Sequence, residues 1–128
     1  MIVKCLTQEG YLHSPKSVKE GNKRLTTYGE IEVDNTYHVY GIIHYEGGFR
    51  YLLYDDFEMT YWYPAELFEI VDHSTPSDWY FKFNGQDGEP ISAIWGYEDL
   101  MDDNHVDELA ELEPEAKRTF LRAKEKMY

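Results

Sequence analysis

The chain reads as an α+β protein, mainly β: a small SH3-like antiparallel barrel of about five strands followed by two C-terminal helices. Three observations lead there. Short β-rich runs alternate with turn signals through residues 1–96, and the apolar period becomes helical over residues 97–128. Neither an internal repeat nor a Pro/Gly/Ser-rich linker divides the 128 residues, so residues 1–128 read as a single domain. With 42% hydrophobic and 16% aromatic residues, the chain can bury enough apolar surface to offset the entropy of ordering it.

Ile2-Val3-Lys4-Cys5-Leu6 opens as a strand, and the polar stretch from Thr7 to Arg24 reads as a long loop. Glu30 to Val33 reads as a short strand ending at an Asp34-Asn35 turn. Tyr37 to His44 then alternates across two faces. Glu46-Gly47-Gly48 offers the positive-φ residues of a tight hairpin, from which Phe49 to Tyr54 returns. Asp55-Asp56 turns the chain again. Met59 to Tyr63, Leu67 to Val71 and Trp79 to Phe83 follow as strands, the last closed by Asn84-Gly85. Closing these strands into a barrel would remove the sheet edges.

Past residue 96, Asn104 is placed as a helix N-cap with Asp107 three residues on. Val106, Leu109, Ala110 and Leu112 follow at helical spacing. Glu113-Pro114 starts a second helix, because proline suits the first helical position. Ala116, Phe120, Ala123 and Met127 make one apolar stripe along it. The bases between Lys117 and Lys126 complement the negative end of its dipole.

The formal net charge of -13 is regional. Residues 1–54 hold six Lys/Arg against six Asp/Glu, and residues 116–128 hold five bases and one acid. Residues 55–115 hold Lys82 alone against 18 acids. Such a field attracts cations and repels phosphates, which argues against direct binding to nucleic acid or to an anionic membrane. Cys5 is the only cysteine, so no internal disulfide can form, and its apolar run makes it a buried structural thiol. No apolar run reaches the length of a signal-peptide core or a membrane span, and the expected location is cytoplasmic.

Motifs for catalysis are scarce. His13, His38, His44, His73 and His105 form no HxxxH or HExxH pair. His38 and His44 share strand parity, but six extended residues separate them by roughly 20 Å. No metal or cofactor is expected. A nucleophile elbow, a phosphate loop and a dinucleotide fingerprint are absent, and Gly47-Gly48 reads as hairpin chemistry. The paired acids Asp55-Asp56, Glu98-Asp99 and Asp102-Asp103 read as solvated turn formers. Tyrosine is the other excess, with 12 residues. Strand alternation cannot bury the whole cluster around Tyr51, Tyr54, Tyr61, Trp62 and Tyr63, so some must reach the surface, where aromatic side chains favour interfaces.

Four blocks carry a resemblance. They are Ile31 to Val39, Tyr51-Leu52-Leu53-Tyr54-Asp55-Asp56, Trp62 to Asp72 with Pro64 and Leu67-Phe68-Glu69, and Pro76-Ser77-Asp78-Trp79. The chain thereby resembles a group of small, mostly uncharacterised bacterial proteins of SH3-like barrel type. Asp34-Asn35 replaces the group's Gly-Lys, and either pair suits a tight turn. Some such proteins are immunity proteins of contact-dependent inhibition and other polymorphic toxin systems, small cytoplasmic antidotes that cover a basic, frequently nuclease, toxin domain.

The resemblance and the regional charge together imply an immunity protein, not an enzyme, whose acidic surface blocks a basic toxin domain. The expected charged contacts are Asp55, Asp56, Glu58, Glu66, Asp99, Asp102, Asp103, Asp107 and Glu108, with Tyr61 and Trp62 as anchors. Two other readings fit the same acids. One is a DNA mimic of the anti-restriction type, which needs carboxylates spaced like phosphates. The other is a small hydrolase using a carboxylate pair, which needs two facing buried acids with raised pKa values.

Overall fold

The hairpin over Glu46 and Gly47 organises the largest sheet. Both residues hold positive φ, 43° and 87°, and Tyr45 pairs with Gly48 across them, the two-residue geometry that matches strand twist. The structure is a computed structural model describing residues 1–85 and 90–128. In chain order the elements are β1 (Ile2–Cys5), β2 (Glu9–Tyr11), α1 (Pro15–Lys19), β3 (Leu25–Thr27), β4 (Thr36–His38), β5 (Gly41–Tyr45) and β6 (Gly48–Tyr54). They continue with β7 (Thr60–Pro64), β8 (Phe68–Asp72), β9 (Tyr80–Phe83), β10 (Ile91–Gly96), α2 (Asp103–Ala110) and α3 (Pro114–Met127). The fold is α+β and mainly β. Its strands form a five-stranded sheet β7-β6-β5-β10-β9, a three-stranded sheet β4-β1-β8 and the β2-β3 pair, all antiparallel.

Alternation along the five-stranded sheet separates two cores. Tyr51, Leu53 and Tyr63 face the three-stranded sheet and pack with Val3, Cys5, Tyr37 and Phe68. Ile43, Leu52 and Ile94 face the opposite way and pack under the C-terminal helices, against Val106, Leu109, Ala116 and Phe120. The apolar stripe of α3 is therefore the face it buries, and Pro114 stands at its first turn. Cys5 is fully buried, and burial pushes its thiol pKa up.

The sheets do not close into a barrel, and two causes are visible. The run Tyr37 to His44 is not one strand: at its middle the chain changes sheets, Val39 N donating to Met1 O at 3.0 Å and Tyr40 N to Leu52 O at 2.9 Å. β10, which carries no strong strand signal in the sequence, takes the free edge of β5, and β9 extends the sheet outward from there. β7 and β9 end the sheet instead of meeting.

Other expectations also change. The loop from Thr7 to Arg24 contains β2 and α1, the latter capped by Ser14, whose hydroxyl accepts from Ser17 N and also bonds the Glu46 carboxylate. Glu30 to Val33 is a turn that seats Ile31 in the core at 1% exposure. The cap of α2 is Asp102, which accepts from Asn104 N at 2.9 Å, not Asn104 itself. His38 and His44 lie in different sheets.

Candidate functional site

Leu100 fixes the start of the acidic segment. It is the buried residue of the 3-10 turn Glu98–Met101, and its Cδ1 sits over the paired glycines Gly41 and Gly96. A Cβ on Gly41 would fall 2.8 Å from that carbon, and one on Gly96 2.5 Å from it. Around this peg Glu98, Asp99 and Asp102 stay exposed. α2 then buries His105, Val106 and Leu109 and turns Asp103, Asp107, Glu108 and Glu111 to solvent.

Lys82 Nζ meets Asp103 at 2.8 Å. Asp99, Asp102, Asp107 and Glu108 have no Lys or Arg within 4 Å among the described residues. Five of the expected contact residues are thus brought onto one continuous turn and helix.

The aromatic anchors lie beside this helix. A groove of about 840 Å³ runs between α2 and β7, lined by Tyr28, Glu30, Phe57, Tyr61, Trp62 and Asp107 among others. Tyr61 is 46% exposed, and its ring packs on those of Tyr28 and Tyr63 at 6.3 and 4.8 Å. Phe57, 67% exposed, and Glu30 are lining residues that the sequence reading did not select.

Asp55 is the clearest correction. It was expected to meet a partner, but it is only 6% exposed and its carboxylate is occupied. Phe57 N and Met59 N donate to Oδ1 at 3.0 and 3.1 Å, and Tyr63 Oη donates to Oδ2 at 2.9 Å. Burial, and then that carboxylate, push the Tyr63 phenol far up, so it stays a donor. Asp55 holds the turn between β6 and β7.

Asp56 is exposed and accepts from Tyr37 Oη at 2.9 Å. Glu58 is exposed at positive φ, and its carbonyl accepts from Lys117 Nζ. Glu66 lies exposed in the 3-10 turn Ala65–Leu67. Neither Asp56 nor Glu66 lines the groove.

A second surface went unread in the sequence. Phe49, Phe81 and Phe83 are 49, 54 and 61% exposed on the part of the large sheet that the three-stranded sheet leaves uncovered. Trp95 packs between Phe49 and Phe81. The alternation Phe81-Lys82-Phe83 was the available signal.

His105 anchors the acidic helix from inside, its Nε2 lying 2.7 Å from Tyr97 Oη. Burial lowers its pKa, and Asp99, Asp102 and Glu108 pull it partly back. The unfolded chain therefore binds this proton more tightly than the fold does. The stabilisation is complete above the unfolded value, about 6.5, and is lost as the pH falls below it. We expect the urea midpoint to fall between pH 7.5 and 5.5, and to fall less in His105→Gln than in the wild type.

No grouping of three or more metal-ligating side chains occurs among the described residues, and no helix is long and apolar enough to cross a membrane. Comparison with protein families, with curated proteins and with solved structures gives no match.

Proposed function

We propose that this chain is an immunity-type antidote that binds a basic, nuclease-like toxin domain in the bacterial cytoplasm. The observation that carries the reading is the row Asp99, Asp102, Asp107 and Glu108, exposed and unmatched by any base among the described residues. A surface that carries such a row without neutralising it suits a cationic counterpart, whose own charges would complete the pairs. Tyr61 and Trp62 stand in the adjoining groove as contact area with few rotors to freeze. Among the described residues Asp55 is the single buried carboxylate, and three donors already occupy it. The antidote reading needs no catalytic group.

The test is association with a purified basic nuclease toxin domain of a bacterial contact-dependent inhibition system, measured by stopped flow. Asp99→Asn, Asp102→Asn, Asp107→Asn and Glu108→Gln combined should slow association about tenfold or more at 20 mM salt. The effect should be about twofold or less at 0.5 M, where the screening length is only a few ångströms. Asn at 102 keeps the helix cap, so the fold is preserved. An association rate indifferent to salt would remove the electrostatic reading.

A further inference from the structure

β9 is the outermost strand of the large sheet, and no strand among the described residues pairs with its outer side. The ladder with β10 fixes which groups point outward. Asn84 N donates to Ser92 O at 2.7 Å, and antiparallel bonding alternates, so Lys82 and Tyr80 bond Ile94 and Gly96. The backbone N–H and C=O of Phe81 and Phe83 therefore face away from the sheet. Their rings are more than half exposed, and they continue the uncovered aromatic surface of Trp95 and Phe49. Natural edges usually carry charges, prolines or bulges against such pairing. Here the one charge, Lys82, is turned to the other face and held by Asp103 and by Met101 O.

We propose that the β9 edge is a self-association surface, on which a second copy of this chain adds its own β9 antiparallel across a two-fold axis through Lys82. The sequence Phe81-Lys82-Phe83 is its own complement in that register. Phe81 bonds Phe83 of the second copy and the reverse, giving four main-chain hydrogen bonds and two aromatic cross-strand pairs on one face. On the opposite face the axis sets Lys82 across from Lys82 of the second copy, a like-charge pair that each copy offsets with its own Asp103. Phe81 and Phe83, the aromatic side chains of the pairing strand and face, are 54 and 61% exposed. At about 200 Å² per aromatic side chain they offer about 200 Å² per copy, short of the ~800 Å² of a stable interface. The pairing is accordingly weak and concentration-dependent. It engages α2 only at Asp103 and uses no side chain of the row Asp99, Asp102, Asp107 and Glu108, so it stands whether or not the antidote reading does.

Sedimentation of the purified chain from 10 to 500 µM, at 0.05, 0.15 and 0.5 M sodium chloride, tests it. The dimer fraction should rise with concentration and also with salt, because screening weakens the repulsion between two acidic chains. Phe83→Lys should be monomeric throughout. Lys82→Cys should form a disulfide dimer under mild oxidation at least tenfold faster than Asn84→Cys, since only position 82 lies on the axis; buried Cys5 gives little background. A wild-type chain monomeric at 500 µM in 0.5 M salt would overturn the proposal. So would a dimer that survives Phe83→Lys, or equal crosslinking at 82 and 84. Salt acts in opposite directions on toxin association and on self-association, so the two readings fail separately.

Discussion

Leu100→Ala is expected to lower the unfolding free energy by about 2–5 kcal/mol, the range for truncating a fully buried leucine. Leu100 is 0% exposed in the core that Phe120, Tyr97 and Leu109 share, and its Cδ1 fills the hollow that Gly41 and Gly96 leave. The turn it belongs to is held by Leu100 N to Tyr97 O and Asp102 N to Asp99 O, too little to rebuild the site once the peg is gone. Natural domains have about 5–15 kcal/mol in total, so a large share of the stability goes with it. Urea denaturation followed by circular dichroism reads the change, and a loss below about 1 kcal/mol would mean that the turn reseats. Gly96→Ala attacks the same contact from the other side, at φ 157° and with a 2.5 Å clash. Because both changes act on one contact, the double variant should cost less than the two single losses added together. On the proposed antidote reading, association with a basic partner should weaken with it, because Glu98, Asp99 and Asp102 depend on this peg for their positions.

Asp55→Ala is the second large effect, about 3–5 kcal/mol. It strands three donors at once: Phe57 N, Met59 N and the Tyr63 hydroxyl, the last on a residue only 1% exposed. Each buried group left without a partner costs about 1–3 kcal/mol. Tyr63→Phe removes one donor and leaves the carboxylate its two backbone N–H groups, so it should cost about 1–2 kcal/mol. Asp55→Asn keeps one acceptor oxygen and should fall between. The order Asp55→Ala, Asp55→Asn, Tyr63→Phe is the check, and Asp55→Ala combined with Tyr63→Phe should cost less than the two single changes added together. Exposed Asp56→Ala makes the contrast: it loses one bond, to Tyr37, and should cost about 1 kcal/mol.

That contrast marks where sequence reasoning stops. Asp55 and Asp56 are adjacent, identical and both suited to a turn. What separates them is Tyr63, eight residues on and buried on the inner face of β7, and no local pattern reports it. Features decided by neighbouring residues were legible: the hairpin, where Glu46 and Gly47 supply the backbone angles; the start of α3 at Pro114; its stripe from Ala116 to Met127; and the buried thiol of Cys5.

Features decided by distant pairing were not. Ile91 to Gly96 reads as a mixed run between a proline and a helix, yet it becomes the strand that occupies β5 and keeps the sheet open. Tyr37 to His44 has one alternating pattern, and only the competing partners Met1 and Leu52 show that it serves two sheets. In the candidate site, the acids on α2 could be read because Asp103, Asp107 and Glu108 fall within one short run. Glu30 and Phe57 could not, because only the packing of β7 against α2 brings them to the groove.

The central place of β1 has a consequence for synthesis on the ribosome. β1 bonds β4 on one side and β8 on the other, with Ile2 opposite both His38 and Asp72. At 5–20 residues per second, β8 follows β1 by about 3–13 s. The nascent chain must keep Ile2, Val3 and Cys5 in solution through that interval, with their backbone groups unpaired on the β8 side. Conditions that slow elongation between β4 and β8 lengthen this exposure. The yield of folded protein should therefore be more sensitive to translation speed across residues 39–67 than across α3, whose partners are already in place when it emerges.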